Sequence, residues 1–250
     1  MKKFLYLLLG GIILMPFNAS ALEFNNDSVV TENGAVLSLE NYNRLSERYS
    51  DESIDNLPIE IVEFFNSDSI TIIDSSNSDD SLITPFSMQN YQNNSKYIEL
   101  NYYYDDGVYV VEFFNNWKVQ PAVKSFDLIG VRWTGNPDII TAYGQQVDAS
   151  VVNYGYRGTN MVVKSNGIGI SMNLLDNCTT PHNNIIVMSS APFGGVFASY
   201  QHAASTVTRD ESKSYTFSSS GYGSVFKFNS NSVGRYYDAM PGVYVSSFLS

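Results

Sequence analysis

The tightest constraint on this chain is the stretch 96–133, KYIELNYYYDDGVYVVEFFNNWKVQPAVKSFDLIGVRW. Asp106-Gly107 is a two-residue turn that tolerates positive φ at both positions, as the twist of a β-hairpin requires. Folding the chain there sets Tyr104 opposite Tyr109, Tyr102 opposite Val111 and Leu100 opposite Phe113. Side chains alternate along a strand, so these residues share one face with Ile98. Glu99, Asn101, Tyr103, Val110, Glu112 and Phe114 take the other face. The first face is the greasier and is expected to meet a core. Glu99 and Glu112 are expected on a solvated face, as diagonal neighbours with Asn101 directly opposite Glu112.

Downstream, short apolar or alternating runs are separated by Gly, Asn, Ser and Pro. Strands are expected near 125–133, 145–154, 161–164, 167–175, 184–189, 195–201, 214–217, 224–228 and 243–247. No amphipathic helices intervene, which favours antiparallel pairing over a parallel α/β sheet. The fold class expected is mainly β, an antiparallel β-sandwich of about ten short strands preceded by a few short acidic α-helices. Those helices belong to 38–66. Ser38 and Ser50 are capping residues, Pro58 fits a first turn, and Tyr42, Leu45 and Tyr49 recur on one helical face. Residues 22–37 read as a mobile lead-in. The polar run DSSNSDDS at 74–81 lacks hydrophobics and the glycine and glutamate of an EF-hand loop, so it reads as a linker.

Lys2 and Lys3, an apolar run from Phe4 to Phe17, and Ala19-Ser20-Ala21 form a signal-peptide pattern with cleavage between Ala21 and Leu22. The run is about 14 residues, short of the ~20 that span a bilayer. Expected boundaries are therefore a signal peptide at 1–21, an acidic helical segment at 22–73, a linker at 74–95 and the β domain at 96–250. The expected location is secreted and extracellular. Loss of 1–21 removes two lysines and leaves 12 basic against 25 acidic residues, a formal charge of −13. Such a surface repels nucleic acid and anionic membrane.

Cys178 is the only cysteine, so no internal disulfide forms. It reads as a small buried hydrophobe. A thiol nucleophile with His182 and Asp176 is chemically conceivable but lacks the surroundings of thiol enzymes. No G-x-S-x-G, H-E-x-x-H or P-loop occurs, and no metal or cofactor is implied. Gly167-Ile168-Gly169 and Gly221-Tyr222-Gly223 read as bulges or turns.

Aromatic residues are abundant, with eighteen Tyr, fifteen Phe and two Trp. Tyrosine and tryptophan give amphipathic contact at low entropy cost. Trp117, in an asparagine-rich loop, heads the candidate binding residues, with Tyr103, Tyr156, Tyr236 and Tyr237. Trp133 reads as core. The phrases LSLENYNRLSERYSDESIDNLP, YVVEFFNNWKVQPAVKSFDLIGVRW, GISMNLL, ASYQHA, SKSYTFSSSGYG and RYYDAM resemble uncharacterised exported proteins of low-GC Gram-positive bacteria. That resemblance implies export and carries over no site residue.

The function expected is a non-catalytic secreted β-sandwich that binds a glycan or protein at a surface. One alternative is a pore-forming protein that reassembles strands such as 214–228 into a barrel. A second is a secreted hydrolase built on paired carboxylates. The acidic helices suggest, separately, a removable pro-segment.

Overall fold

A computed structural model describes residues 22–25, 27–72, 90–148, 150–218, 223–238 and 240–246. The expected signal peptide and its cleavage site at Ala21, the run 74–81 and the Gly221-Tyr222 pair lie outside the described residues. In chain order the elements are β1 (Glu23–Phe24), β2 (Ser28–Val30), β3 (Val36–Ser38), α1 (Leu39–Ser46), α2 (Asp51–Asp55), α3 (Ile59–Phe65), β4 (Thr71–Ile72), β5 (Asn90–Gln92), β6 (Lys96–Asp105), β7 (Val108–Trp117) and β8 (Phe126–Thr134). They continue as β9 (Ile139–Val147), β10 (Val151–Tyr154), β11 (Met161–Lys164), β12 (Gly167–Asn173), β13 (His182–Ser189) and β14 (Gly195–Gln201). The last are α4 (Arg209–Ser212), β15 (Tyr215–Phe217), β16 (Phe226–Phe228), α5 (Asn231–Gly234) and β17 (Val243–Ser246).

The molecule is mainly β, an antiparallel sandwich. One sheet runs β10-β9-β13-β7-β6, with β4 and β5 both pairing β6; the other runs β11-β12-β8-β14-β17. The β6–β7 hairpin has the expected register, with Tyr104 opposite Tyr109 and Leu100 opposite Phe113. Asp106 and Gly107 both have positive φ, 42° and 84°. Leu100, Phe113 and Ile185 of the first sheet meet Ile129, Ile170 and Val196 of the second in one inter-sheet core.

Each sheet also has a covered outer face. On the first sheet, Tyr103, Val110, Phe114, Tyr143, Ile186 and Met188 pack on the 29–65 segment through residues such as Leu45, Ile54, Leu57 and Phe65. This corrects the expectation of a solvated second face. It also replaces the mobile lead-in: β1–β3 form a three-stranded antiparallel sheet. Val29 and Leu37 point into the same core as the helices. The Asn33-Gly34 pair, with Gly34 at φ 80°, makes the turn between β2 and β3.

The helices start where the capping residues place them. Ser38 accepts a hydrogen bond from the Asn41 amide and Ser50 from the Ser53 amide, while Pro58 precedes α3. On the second sheet, Leu128 packs on Tyr215, Phe217 and Phe226 from the β15–β16 hairpin. Gly167 and Gly169 are regular members of β12 rather than bulges. A Cβ on Gly167 would sit 2.6 Å from the Phe217 ring, and one on Gly169 2.3 Å from the Tyr215 hydroxyl. The glycines admit the rings of the overlying hairpin. The order of layers is therefore N-terminal segment, first sheet, second sheet, C-terminal segment. Asn90–Gln92, inside the expected 74–95 linker, pairs with β6.

Candidate functional site

The five aromatic candidates do not form one face. Trp117 continues the inward alternation of Val111 and Phe113 and ends β7, so it lies in the core at 6% exposure instead of in a loop. Its indole N–H donates to the Tyr200 hydroxyl at 3.0 Å. Tyr103 is buried under the helices, where its hydroxyl donates to Glu112 at 2.8 Å. Tyr237 is buried, stacked on Phe228, and donates to the Phe126 carbonyl. Tyr156 is half-buried beside the Arg157 guanidinium, and Tyr236 is exposed at 37%. For Trp117, Tyr103 and Tyr237 burial removes the exposed ring face that stacking on a ligand requires. Trp133 is core, as expected.

The paired carboxylates fare similarly. Glu112 is fully buried and takes hydrogen bonds from Tyr49, Tyr103 and Arg48, the last at 3.1 Å. Burial pushes the Tyr49 and Tyr103 hydroxyls far above their ordinary range, with the Glu112 charge adding to it. Burial works against the Arg48 charge, but Glu112, Tyr103 and Tyr49 together outweigh it and hold the guanidinium above its usual range. This carboxylate fastens the helical layer to the sheet. Glu99 is held by Tyr97 and Asn101.

Above that ion pair, between α1–α2 and the end of the first sheet, lies a groove of about 260 Å³. Tyr49 and Phe114, edge to face at 5.4 Å, border it and are themselves buried. Arg48, Asn116, His182 and Asn184 also line it. It shares Ser50, Val147 and His182 with an adjoining depression bordered by Asp51, Glu52, Asp148 and Thr180. Arg48 enters the groove because it follows α1, whose buried face ends in Leu45. Asn116 and His182 are register partners on β7 and β13.

His182 Nδ1 lies 3.1 Å from Asn116 Oδ1. With the amide oxygen accepting, Nδ1 carries the hydrogen and Nε2 presents a lone pair. Burial lowers the His182 pKa, partly countered by Asp148, so the ring is neutral at pH 7. Among the described residues Arg48 uses Nη1 for both side-chain bonds, leaving Nη2 and Nε as donors. The groove thus offers amide donors and acceptors, an imidazole nitrogen and one guanidinium, within an acidic rim. No motif signals it, because its residues come from helix ends and strand ends far apart in sequence.

Cys178 is buried, as expected of a small hydrophobe. Burial and the Asp148 carboxylate, which accepts a hydrogen bond from its thiol, push its pKa up to about 12. His182 instead pairs with Asn116. No group of three or more His, Cys, Asp or Glu suited to a metal occurs among the described residues.

A second polar cluster occupies the end of the inter-sheet core beside Trp117. Lys96, at 2% exposure, places its ammonium against Asp238 and over the Trp117 and Tyr200 rings, 4.9 and 5.5 Å from their centres. Asp127 is fully buried and accepts from Tyr200, the Ala203 amide and His202 Nδ1, the last at 2.9 Å. Burial raises its pKa, opposed by His202 and Tyr200.

Fold and groove together define a β-sandwich with a polar cleft under a helical layer. No protein-family model and no curated protein sequence matches the chain. A collagen-binding domain from a Staphylococcus aureus adhesin overlays with a TM-score of 0.32 at 11% identity, covering 44% of this chain and 86% of that domain. Among the described residues no helix is long and apolar enough to cross a membrane.

Proposed function

We propose that this protein is exported and is a non-catalytic binding module, whose groove between the helical layer and the first sheet takes a neutral, hydroxyl-rich ligand of the glycan class. The carrying observation is the groove itself, where Arg48, Asn116, His182 and Asn184 meet beside the buried Tyr49 and Phe114. Sites for small polar ligands combine apolar walls with a few placed polar groups in this way. Glu47, Asp51, Glu52 and Asp148 border the groove and its extension and disfavour anionic ligands. The lead-in at Lys2–Ala21 supports export. Binding is favoured over catalysis because Glu112 is sealed beneath the helices and Cys178 is turned to Asp148.

The test is a glycan array probed with purified protein, wild type and Asn116→Ala. The expected result is saturable binding to a neutral glycan, weakened about tenfold or more in Asn116→Ala, the loss of one or two polar contacts. A flat array with folded protein, or binding indifferent to Asn116→Ala, contradicts the reading.

A further inference from the structure

Lys96 stands at the start of β6, points into the inter-sheet core, and is almost wholly withdrawn from water. A lysine in that position needs acceptors for three N–H groups. Its ammonium has the Asp238 carboxylate on one side and two aromatic rings on the others. Taking an ammonium out of water is costly, and one partly exposed carboxylate repays it poorly. Asp238 is held by both of its oxygens. Its Oδ2 touches Lys96 Nζ, while its Oδ1 accepts the His202 backbone amide at 2.9 Å. The His202 ring lies edge to face on Trp117 at 4.8 Å, on the same indole that Lys96 covers. Asp127 holds that ring through Nδ1.

We infer that Lys96 and Asp238 are a modification site, at which the folded chain condenses its own lysine and aspartate side chains into an amide. The Lys96 ammonium gives a proton to Asp238 Oδ2, which it touches, and the freed Nζ lone pair attacks Cγ of the neutral carboxyl. An N–C bond forms, the Cγ–Oδ2 bond breaks, and Oδ2 leaves as water, carrying that proton and a second taken from nitrogen. Ammonium plus carboxylate become amide plus water, with no oxidant or cofactor required. The His202 amide on Oδ1 stabilises the negative oxygen of the tetrahedral intermediate, as backbone donors do in acyl transfer. Asp127 fixes the segment that presents this amide, through the His202 ring and the Ala203 amide.

The bond joins positions 142 residues apart, the first strand of the hairpin and the segment that leads into β17. An exported chain with a single cysteine has no disulfide to close such a loop. An amide does so without depending on redox state, and a constraint across a long loop disfavours the unfolded chain.

The test is the intact mass of denatured, purified protein whose N-terminus has been sequenced, followed by tryptic mapping. The inference expects a mass lower than the sequence by one water, and a branched peptide linking Lys96 to Asp238. Lys96→Arg and Asp238→Ala should each show the full sequence mass. Asp238→Asn, which expels ammonia in place of water, should converge on the wild-type mass. The branched peptide is read on wild type, so the test does not depend on a variant folding. A wild-type mass equal to the sequence mass overturns the inference, as does a water loss that persists in Lys96→Arg.

Discussion

At the scale of the residue, local rules hold where the partners are near in sequence. Asp106-Gly107 dictates its hairpin because only the turn's own φ angles are involved, and Gly107 at φ 84° is the demanding position. A Cβ there meets nothing within 4 Å, so a side chain would be penalised by the backbone alone. Gly107→Val should lower stability by about 1–2 kcal/mol, read as a shift in denaturation midpoint without change in slope. His182 gives a pH prediction. Its folded pKa is lowered below 6.5, so the unfolded chain binds the proton first as pH falls. The His182 contribution to stability is present above pH 6.5 and is lost as pH falls through the folded value. Removing the imidazole in His182→Asn should abolish that part of the acid sensitivity, measured by thermal melts between neutral and mildly acidic pH. An unchanged pH profile would contradict it.

Trp117, Tyr103 and Glu112 were not legible in the same way. Each sits on a strand whose alternation is clear, but exposure depends on what covers that face. For Tyr103 and Glu112 the cover comes from Arg48 and Tyr49, about sixty residues upstream. Trp117 was misplaced for a local reason, because polar Asn115 and Asn116 disguise the end of a strand. Asn115 is fully buried on the inward face, and such a residue breaks the usual link between polarity and exposure.

At the scale of the element, the helical layer is joined to the first sheet by an apolar core and one buried ionic cluster. Glu112 receives Tyr49, Tyr103 and Arg48 together. Glu112→Ala leaves a half-buried guanidinium and two buried hydroxyls without their acceptor, and should cost about 3–5 kcal/mol. Adding Arg48→Met should recover part of that loss, because the uncompensated charge is gone; a double-mutant cycle by denaturant unfolding measures it. Full additivity of the two changes would contradict this coupling. The three helix starts were readable from Ser38, Ser50 and Pro58 since caps act within one turn. The sheet at β1–β3 was not, because strands of two or three residues carry too little alternation to register. Its one signal was Asn33-Gly34.

At the scale of the whole molecule, the sandwich was legible from many short strands and Gly-, Asn- and Pro-rich breaks. The layer order was not, because period-two alternation marks two faces without saying that both are covered. The acidic segment shares its core with Tyr103, Val110, Phe114 and Ile186 of the sheet. That argues against a segment removed without consequence. A chain starting after residue 66 should expose this apolar face and aggregate or bind a hydrophobic dye, whereas a stable monomeric truncation would restore the pro-segment idea.

The groove exists only because that layer lies on the sheet, so the binding proposal is a claim about the whole assembly. Its most direct measurement is backbone amide chemical-shift mapping of the folded protein, titrated with a neutral oligosaccharide selected on the array. The account predicts saturable shifts concentrated at Arg48, Phe114, Asn116, His182 and Asn184. Shifts centred on Tyr156 or Tyr236, with those five unmoved, would contradict it.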